Sequence, residues 1–369
     1  MSTRTSRPPS EDIVCRRVDH HDARDRERAL GILREYFASI GEAGAADARY
    51  AWLYLANPAL AARTFLAADR NTDEVVAITS LFPRPVWVRG QVFLGAIGGD
   101  GYVTPRYRRR GIITLLHRDA LALMNERDEP VSFMFGPPEP NNLKGLLRAG
   151  ASLVGHVQRF VRPLGAAGFG ARAARWNMPL AKTVPWTSWL LSPRKTKLRL
   201  LELGDRPDAR VDHIWQRTVD ALAGTEQVVP VRDATFYAWR FGSGNGNGNR
   251  EKKRQCGYLV LDGEEPVAAV ALEREDGRVG IIDVTAPPRS LMRAYRAILD
   301  ACRDADAVHV EVHTPAPWLQ AMLFSLGFLP RARKPFQVHV GPHHPAHDAL
   351  IRPEMWRYMW GDGDVTRVL

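Results

Sequence analysis

Apolar and polar positions follow the same order twice along this chain. Each series opens on an aromatic segment, Asp47-Ala-Arg-Tyr-Ala-Trp52 in the first and Asp233-Ala-Thr-Phe-Tyr-Ala-Trp239 in the second. A turn region and an apolar run come next, at 74–79 and 265–271, and short runs of that kind read as buried strands. A second strand then passes into an amphipathic helix, over 98–125 and 280–305. An alternating strand (131–135; 308–312), a proline turn and a short helix complete each series. Those closing helices stop at Gly150 and Gly327, each 19 residues after its strand begins. Glycine in that place suits a helix C-terminus. Self-similarity on this scale predicts two copies of one mixed α/β unit, each of ordinary domain size.

The expected organisation is a first unit over 1–165, a linker over 166–205, a second unit over 206–345 and a tail over 346–369 that packs back. The linker stretch is rich in Ala, Gly and Trp without a clean period, and 242–249 is a Gly/Asn low-complexity loop. The tail carries Trp356, Tyr358 and Trp360, too apolar a set for a free end.

Length supports two domains, since 369 residues exceed one ordinary domain. With 45% hydrophobic and 25% charged residues, the composition excludes a disordered or fibrous chain. No apolar run approaches the ~20 residues that cross a bilayer, and the polar start has no secretory h-region. A cytoplasmic protein without membrane insertion is expected. Cys15, Cys256 and Cys302 are odd in number and lack metal-ligand spacing, so neither a disulfide framework nor a metal site is expected.

Net charge changes the picture more. An excess of +10 favours an anionic partner: nucleic acid, acidic lipid or a phosphorylated small molecule. A general polyanion binder calls for long Lys/Arg tracts, and the dense cluster here is confined to 106–110. Arg250-Glu-Lys-Lys-Arg254 reads as solvated surface.

The basic cluster has a telling context. A strand ending in Gly101-Tyr-Val103 meets Pro105, then Arg106-Tyr-Arg-Arg-Arg110-Gly111-Ile-Ile-Thr114 and an amphipathic helix. A turn at a helix N-terminus exposes N–H groups with no partner inside the helix. With the helix dipole they make an anion site into which a diphosphate fits. Gly111 allows close approach of the backbone. Pro105 ends the strand, leaving room for an extended ligand along its edge. The second series lacks this turn: after Asp283-Val-Thr-Ala-Pro287 comes Pro288-Arg-Ser, with no glycine.

Val103-Thr-Pro105 followed by Arg108-Arg-Arg-Gly111-Ile-Ile113 resembles the acyl-CoA motif of the GNAT acyltransferase superfamily. Ile113 stands where that motif usually has Gly or Ala. Trp52 with Asn57-Pro58, Trp239-Arg240, Ile282-Asp283 and Gly361-Asp362-Gly-Asp364 resemble a bacterial tandem-GNAT subgroup. The resemblance implies two tandem units, each a mostly antiparallel, V-splayed sheet flanked by helices. It implies acetyl-CoA or another acyl-CoA as cosubstrate and a small-molecule amine as acceptor. Val103 would pair with the pantetheine arm, the amides of Arg109, Arg110, Gly111, Ile112, Ile113 and Thr114 would receive the pyrophosphate, and Arg108 of the same motif and Asn141, near the pantetheine, complete the expected cofactor site. CoA is expected in the first unit alone.

Acyl transfer to an amine needs a base and a proton for the thiolate. The closing-helix Tyr common in GNAT enzymes is missing here, with Leu146 or Leu147 in its place. Asp100 and Tyr102, on one strand face by alternation, are the candidate catalytic residues, and Asp362 and Asp364 the candidate acceptor ligands. Two other functions fit the doubled fold: aminoacyl transfer from charged tRNA, and a non-catalytic CoA or amine sensor. The intact first turn disfavours nucleic acid.

Overall fold

The computed structural model describes residues 12–164, 196–242, 254–305 and 307–363. Thirteen strands form one mixed sheet. The first half supplies β1 (Ile13–Arg17), β2 (Arg63–Asp69), β3 (Val75–Val88), β4 (Gln91–Val103), β5 (Val131–Gly136) and β6 (Ser152–Pro163). The second supplies β7 (Arg199–Glu202), β8 (Val228–Pro230), β9 (Arg254–Asp262), β10 (Glu265–Glu275), β11 (Arg278–Thr285), β12 (His309–Thr314) and β13 (Leu329–Val340). Their order is β1-β2-β3-β4-β5-β13-β6-β12-β11-β10-β9-β7, with β8 pairing β3 off this path.

That order is a palindrome in which β13 and β6 exchange places. Each half lends its last strand to the other: β13 lies between β5 and β6, and β6 between β13 and β12. Pair directions obey the same symmetry. Among the described strand pairs, β4–β5 and β11–β12 are the parallel ones, and each is joined by a helical crossover.

The linker expected over 166–205 is described from 196, and there it contains the edge strand β7. Sequence reasoning missed that strand because four residues carry too short a period.

Helices cover both faces. On one lie α1 (Ala23–Ser39), α2 (Ala46–Arg49) and a π-helical turn (Tyr50–Leu55). Their Leu33, Phe37 and Tyr54 pack on Leu66, Ile78, Phe82 and Tyr102. On the other, α3 (Ile112–Ala122) sets Leu116, Ala120 and Leu121 against Val76, Leu81, Ala96 and Met134. Helix α4 (Pro140–Ala149) lies beside α3. In the second half, α5 (Ala209–Asp220) and α6 (Ala234–Phe241) cover one face, and α7 (Pro288–Asp304) and α8 (Pro317–Ser325) the other. No helix among the described residues is long and apolar enough to cross a membrane.

The tail returns across both halves. Trp356 and Tyr358 are fully buried against Phe135 and Phe336. Trp52 and Trp239 stack across the junction, and each indole N–H donates to the other's carbonyl, at 3.1 and 3.3 Å.

Candidate functional site

The site begins where β4 and β5 part. They pair only from Leu94/Val131 to Ala96/Met134, and beyond that a cleft of about 890 Å3 opens between them. A one-residue bulge bends β4 away, since three steps from Gly99 to Tyr102 face two steps from Ser80 to Ile78. Asp100 takes the strain, with φ +50°.

Asp100 is held from below. Arg49 donates to both of its carboxylate oxygens, at 2.8 and 2.9 Å, and the Tyr54 hydroxyl donates at 2.7 Å. All three side chains are buried, and burial pushes the Tyr54 hydroxyl well above its ordinary range. Asp100, the expected base, has its carboxylate engaged in a buried bidentate ion pair at the bulge. Sequence reasoning missed Arg49 and Tyr54. The available signal was their spacing, repeated in the second half, where Arg232 and Tyr237 bind Asp283 at 2.6 and 2.9 Å. The intervals are the same, 51 residues from Arg to Asp and 46 from Tyr to Asp.

Beyond the bulge, Thr104 N–H bonds to the Val76 carbonyl. In an antiparallel ladder the neighbouring Val103 therefore turns its N–H and C=O away from β3, toward the cleft. The Val103 carbonyl accepts from Arg108 Nε at 3.0 Å, and its N–H has no partner among the described residues.

The arginine-rich turn follows. Arg109 (φ +64°) and Gly111 (φ +76°) are both left-handed, and Gly111 immediately precedes α3. The amides of Arg109, Arg110, Gly111, Ile112 and Ile113 have no hydrogen-bond partner among the described residues. Thr114 differs from expectation, for its amide already bonds to the Gly111 carbonyl at 3.0 Å. Arg108, Arg109, Gly111, Ile112, Ile113, Thr114 and Asn141 all line the cleft. Arg110 is not among the lining residues; its guanidinium lies over the Tyr107 ring at 5.1 Å. No atom lies within 4 Å of where a Gly111 Cβ would be, so the turn is open where an anion must come close. At Gly101 the reverse holds, a Cβ meeting Asn142 Nδ2 at 3.1 Å across the opening.

Residues 18–140 match the family described as Acetyltransferase (GNAT) domain. The match spans about a third of the chain. Solved structures share the whole architecture at low identity. A GCN5-related N-acetyltransferase from Anabaena variabilis is 13% identical with a TM-score of 0.61, over 88% of this chain and 72% of that one. The Saccharomyces cerevisiae N-myristoyltransferase with bound myristoyl-CoA is 13% identical with a TM-score of 0.55, over 91% and 81%. A tandem GNAT protein from the clavulanic acid biosynthesis pathway is 16% identical with a TM-score of 0.52, over 90% and 100%. No curated protein matches the chain by sequence.

Two buried polar atoms of the cleft were missed as site residues. His117 Nδ1, on α3, and Gln337 Oε1, on the exchanged strand β13, line the cleft and have no hydrogen-bond partner among the described residues. Burial lowers the His117 imidazole to about 4, so it is neutral at pH 7. Gln337 could not be placed from sequence, because β13 reaches the first half only through the strand exchange.

Tyr102 lines the cleft, and its hydroxyl donates to Glu35 of α1 at 2.9 Å. Burial, then the Glu35 carboxylate, raises its pKa. Asp362, the expected acceptor ligand, is buried elsewhere. It accepts from Arg84 and Met359 N–H, each at 2.9 Å, and from Arg232. Its carboxylate ties the tail to both halves and is closed to an acceptor. Asp364 lies outside the described residues.

Among the described residues, the corresponding splay of the second half is filled. β11 and β12 also part after Ile281/Val312, but the segment Trp360–Asp362 packs against both strands. Trp360 stacks on His313 at 4.5 Å, and a Gly361 Cβ would lie 2.8 Å from the Ile282 carbonyl. Helix α7 starts at Pro288, three residues after Thr285, whereas α3 starts nine residues after Val103. The arginine-rich turn of the first half has no counterpart there.

Proposed function

We propose that the GNAT domain transfers an acyl group from acyl-CoA, with acetyl-CoA as donor, to the primary amine of a small molecule. The observation that carries this reading is the run of five unpartnered amides at the start of α3, opening into the same cleft as the outward-facing backbone of Val103. Such a run, at the positive end of a helix, suits a diphosphate. The Val103 N–H, Gln337 and the Asn141–Asn142 pair supply the polar groups that the amides of a pantetheine arm need.

The chemistry then needs little from the protein. The amine nitrogen attacks the thioester carbonyl, a C–N bond forms, the C–S bond breaks, and CoA leaves as a thiolate that takes up a proton. Tyr102 is the group we assign to the amine's proton: its oxygen accepts that proton as its own passes to Glu35, which is exposed to water. The expected result is release of free thiol from acetyl-CoA only when an amine is present. Tyr102→Phe should lower kcat by roughly tenfold or more while acetyl-CoA still raises the melting temperature as in the wild type. Full activity in that variant would remove Tyr102 from the mechanism, and thiol release independent of amine would refute amine acylation.

A further inference from the structure

The cleft passes through the sheet, and its two mouths differ. The arginine-rich turn opens on the α3 face. On the opposite face the second half contributes part of the wall: Lys334 of β13, with Tyr358 and Trp360 of the tail. Alternation along β13 puts Lys334 with Phe336, which packs on Trp356 and Tyr358. His339, of the other parity, points to the end of α4, where its Nδ1 meets the Gly150 carbonyl at 3.1 Å. Lys334 is thus across the sheet from the anion-binding turn.

Its surroundings are unusual for an ammonium group. Lys334 is half-buried, and its Nζ stands 4.8 Å from the centre of the Trp360 ring. That ring is itself fixed by stacking on His313. Burial lowers the His313 imidazole to about 4, so it adds no positive charge at pH 7. Burial also lowers the Lys334 pKa, against the more distant pull of Glu139. Among the described residues no carboxylate lies within 4 Å of Lys334. By contrast, Asp100, at the inner end of the same wall, is fully engaged by Arg49.

We infer that Lys334 receives an anionic group of the acceptor, so that the acceptor is a small amine that also bears a carboxylate, an amino-acid-like compound. This rests on the acyltransferase reading above. One ammonium matches a monoanion, and a carboxylate arriving there forms a charge-assisted hydrogen bond. Other wall residues on this mouth, including Ile40, Ile97 and Tyr358, are apolar or neutral and suit a small organic body. The strand exchange gains a purpose here, since it is the second half that selects the substrate of the first.

The test compares free amino acids with their amides, glycine, leucine and lysine against glycinamide, leucinamide and lysinamide, as acceptors with acetyl-CoA. Wild type should favour each free acid by roughly tenfold in kcat/KM, the worth of one good charge contact. Lys334→Met should erase that preference and Lys334→Arg should keep most of it, with acetyl-CoA affinity unchanged in both. Equal or faster use of the amides by wild type overturns the proposal, and so does a preference that survives in Lys334→Met. Turnover of neither series by protein that binds acetyl-CoA overturns it as well. Failure of wild type to bind acetyl-CoA at all defeats instead the acyltransferase reading beneath it.

Discussion

Gly111 shows how one residue meets two physical demands. Its φ of +76° is a region that a side chain occupies only at a cost, about 1–2 kcal/mol for an L-residue. Yet the space around its missing Cβ is empty for 4 Å. A packing reason for glycine would show a neighbour there, so the openness points outward, to a ligand. Gly111→Trp should therefore cost about 1–2 kcal/mol of stability while weakening acetyl-CoA binding by on the order of 100-fold, through loss of a close phosphate contact. Urea unfolding and calorimetry read the two effects separately, and unchanged affinity would move the site elsewhere. Sequence placed this glycine because its neighbours, an arginine run and a proline-ended strand, are local. The same reading took in Thr114, whose amide folds back on Gly111. Which arginine faces the cleft, and which amide folds back on Gly111, depends on the left-handed turn at Arg109, and no pattern of residue types records that turn.

Among the elements, the bulge of β4 decides the geometry of the cleft. Asp100 sits in a left-handed conformation at a point buried in the sheet, and only its ion pair with Arg49 and the Tyr54 hydroxyl hold it. Arg49→Met leaves a buried carboxylate without its counter-ion, a loss of about 3–5 kcal/mol. We expect a lower urea midpoint and slower thiol release from acetyl-CoA. The double variant Arg49→Met with Asp100→Leu should recover much of the stability, because a buried ion pair contributes little beyond an apolar replacement. Its activity should stay low if the bulge is what the pair maintains, and full activity in the stable double variant would reduce the pair to packing. Strands and helices of this region were legible because their periods are local, two and 3.6 residues. The bulge was not, for Asp100 after Gly98-Gly99 reads equally as a turn, and its partners lie 46 and 51 residues away.

For the whole molecule, the duplication was written in the sequence, but the exchange of β6 and β13 was not. Two strands of similar composition can pair in either half, and the choice is made by contacts some 170 residues apart in the chain. One consequence is that the halves differ at their splays while keeping one frame. Each retains the Arg–Asp–Tyr cluster beneath its β4-like strand. In the second, however, Asp283 and Asp362 share Arg232, and Asp362 anchors the tail that fills the splay. A nucleotide thioester entering there would have to expel Trp360 from His313 and break the buried pairs of Asp362 with Arg84 and Arg232. Uncovering one such buried charge costs about 3–5 kcal/mol. It would then find no anion-binding turn, since α7 begins on Pro288, which has no N–H to offer. Calorimetric titration of the full chain with acetyl-CoA should therefore saturate at one molecule per chain, and Gly111→Trp should abolish that signal rather than halve it. Two equivalent sites, or half the signal surviving in the variant, would mean that the tail leaves the second splay readily and that its ion pairs are weaker than their burial implies.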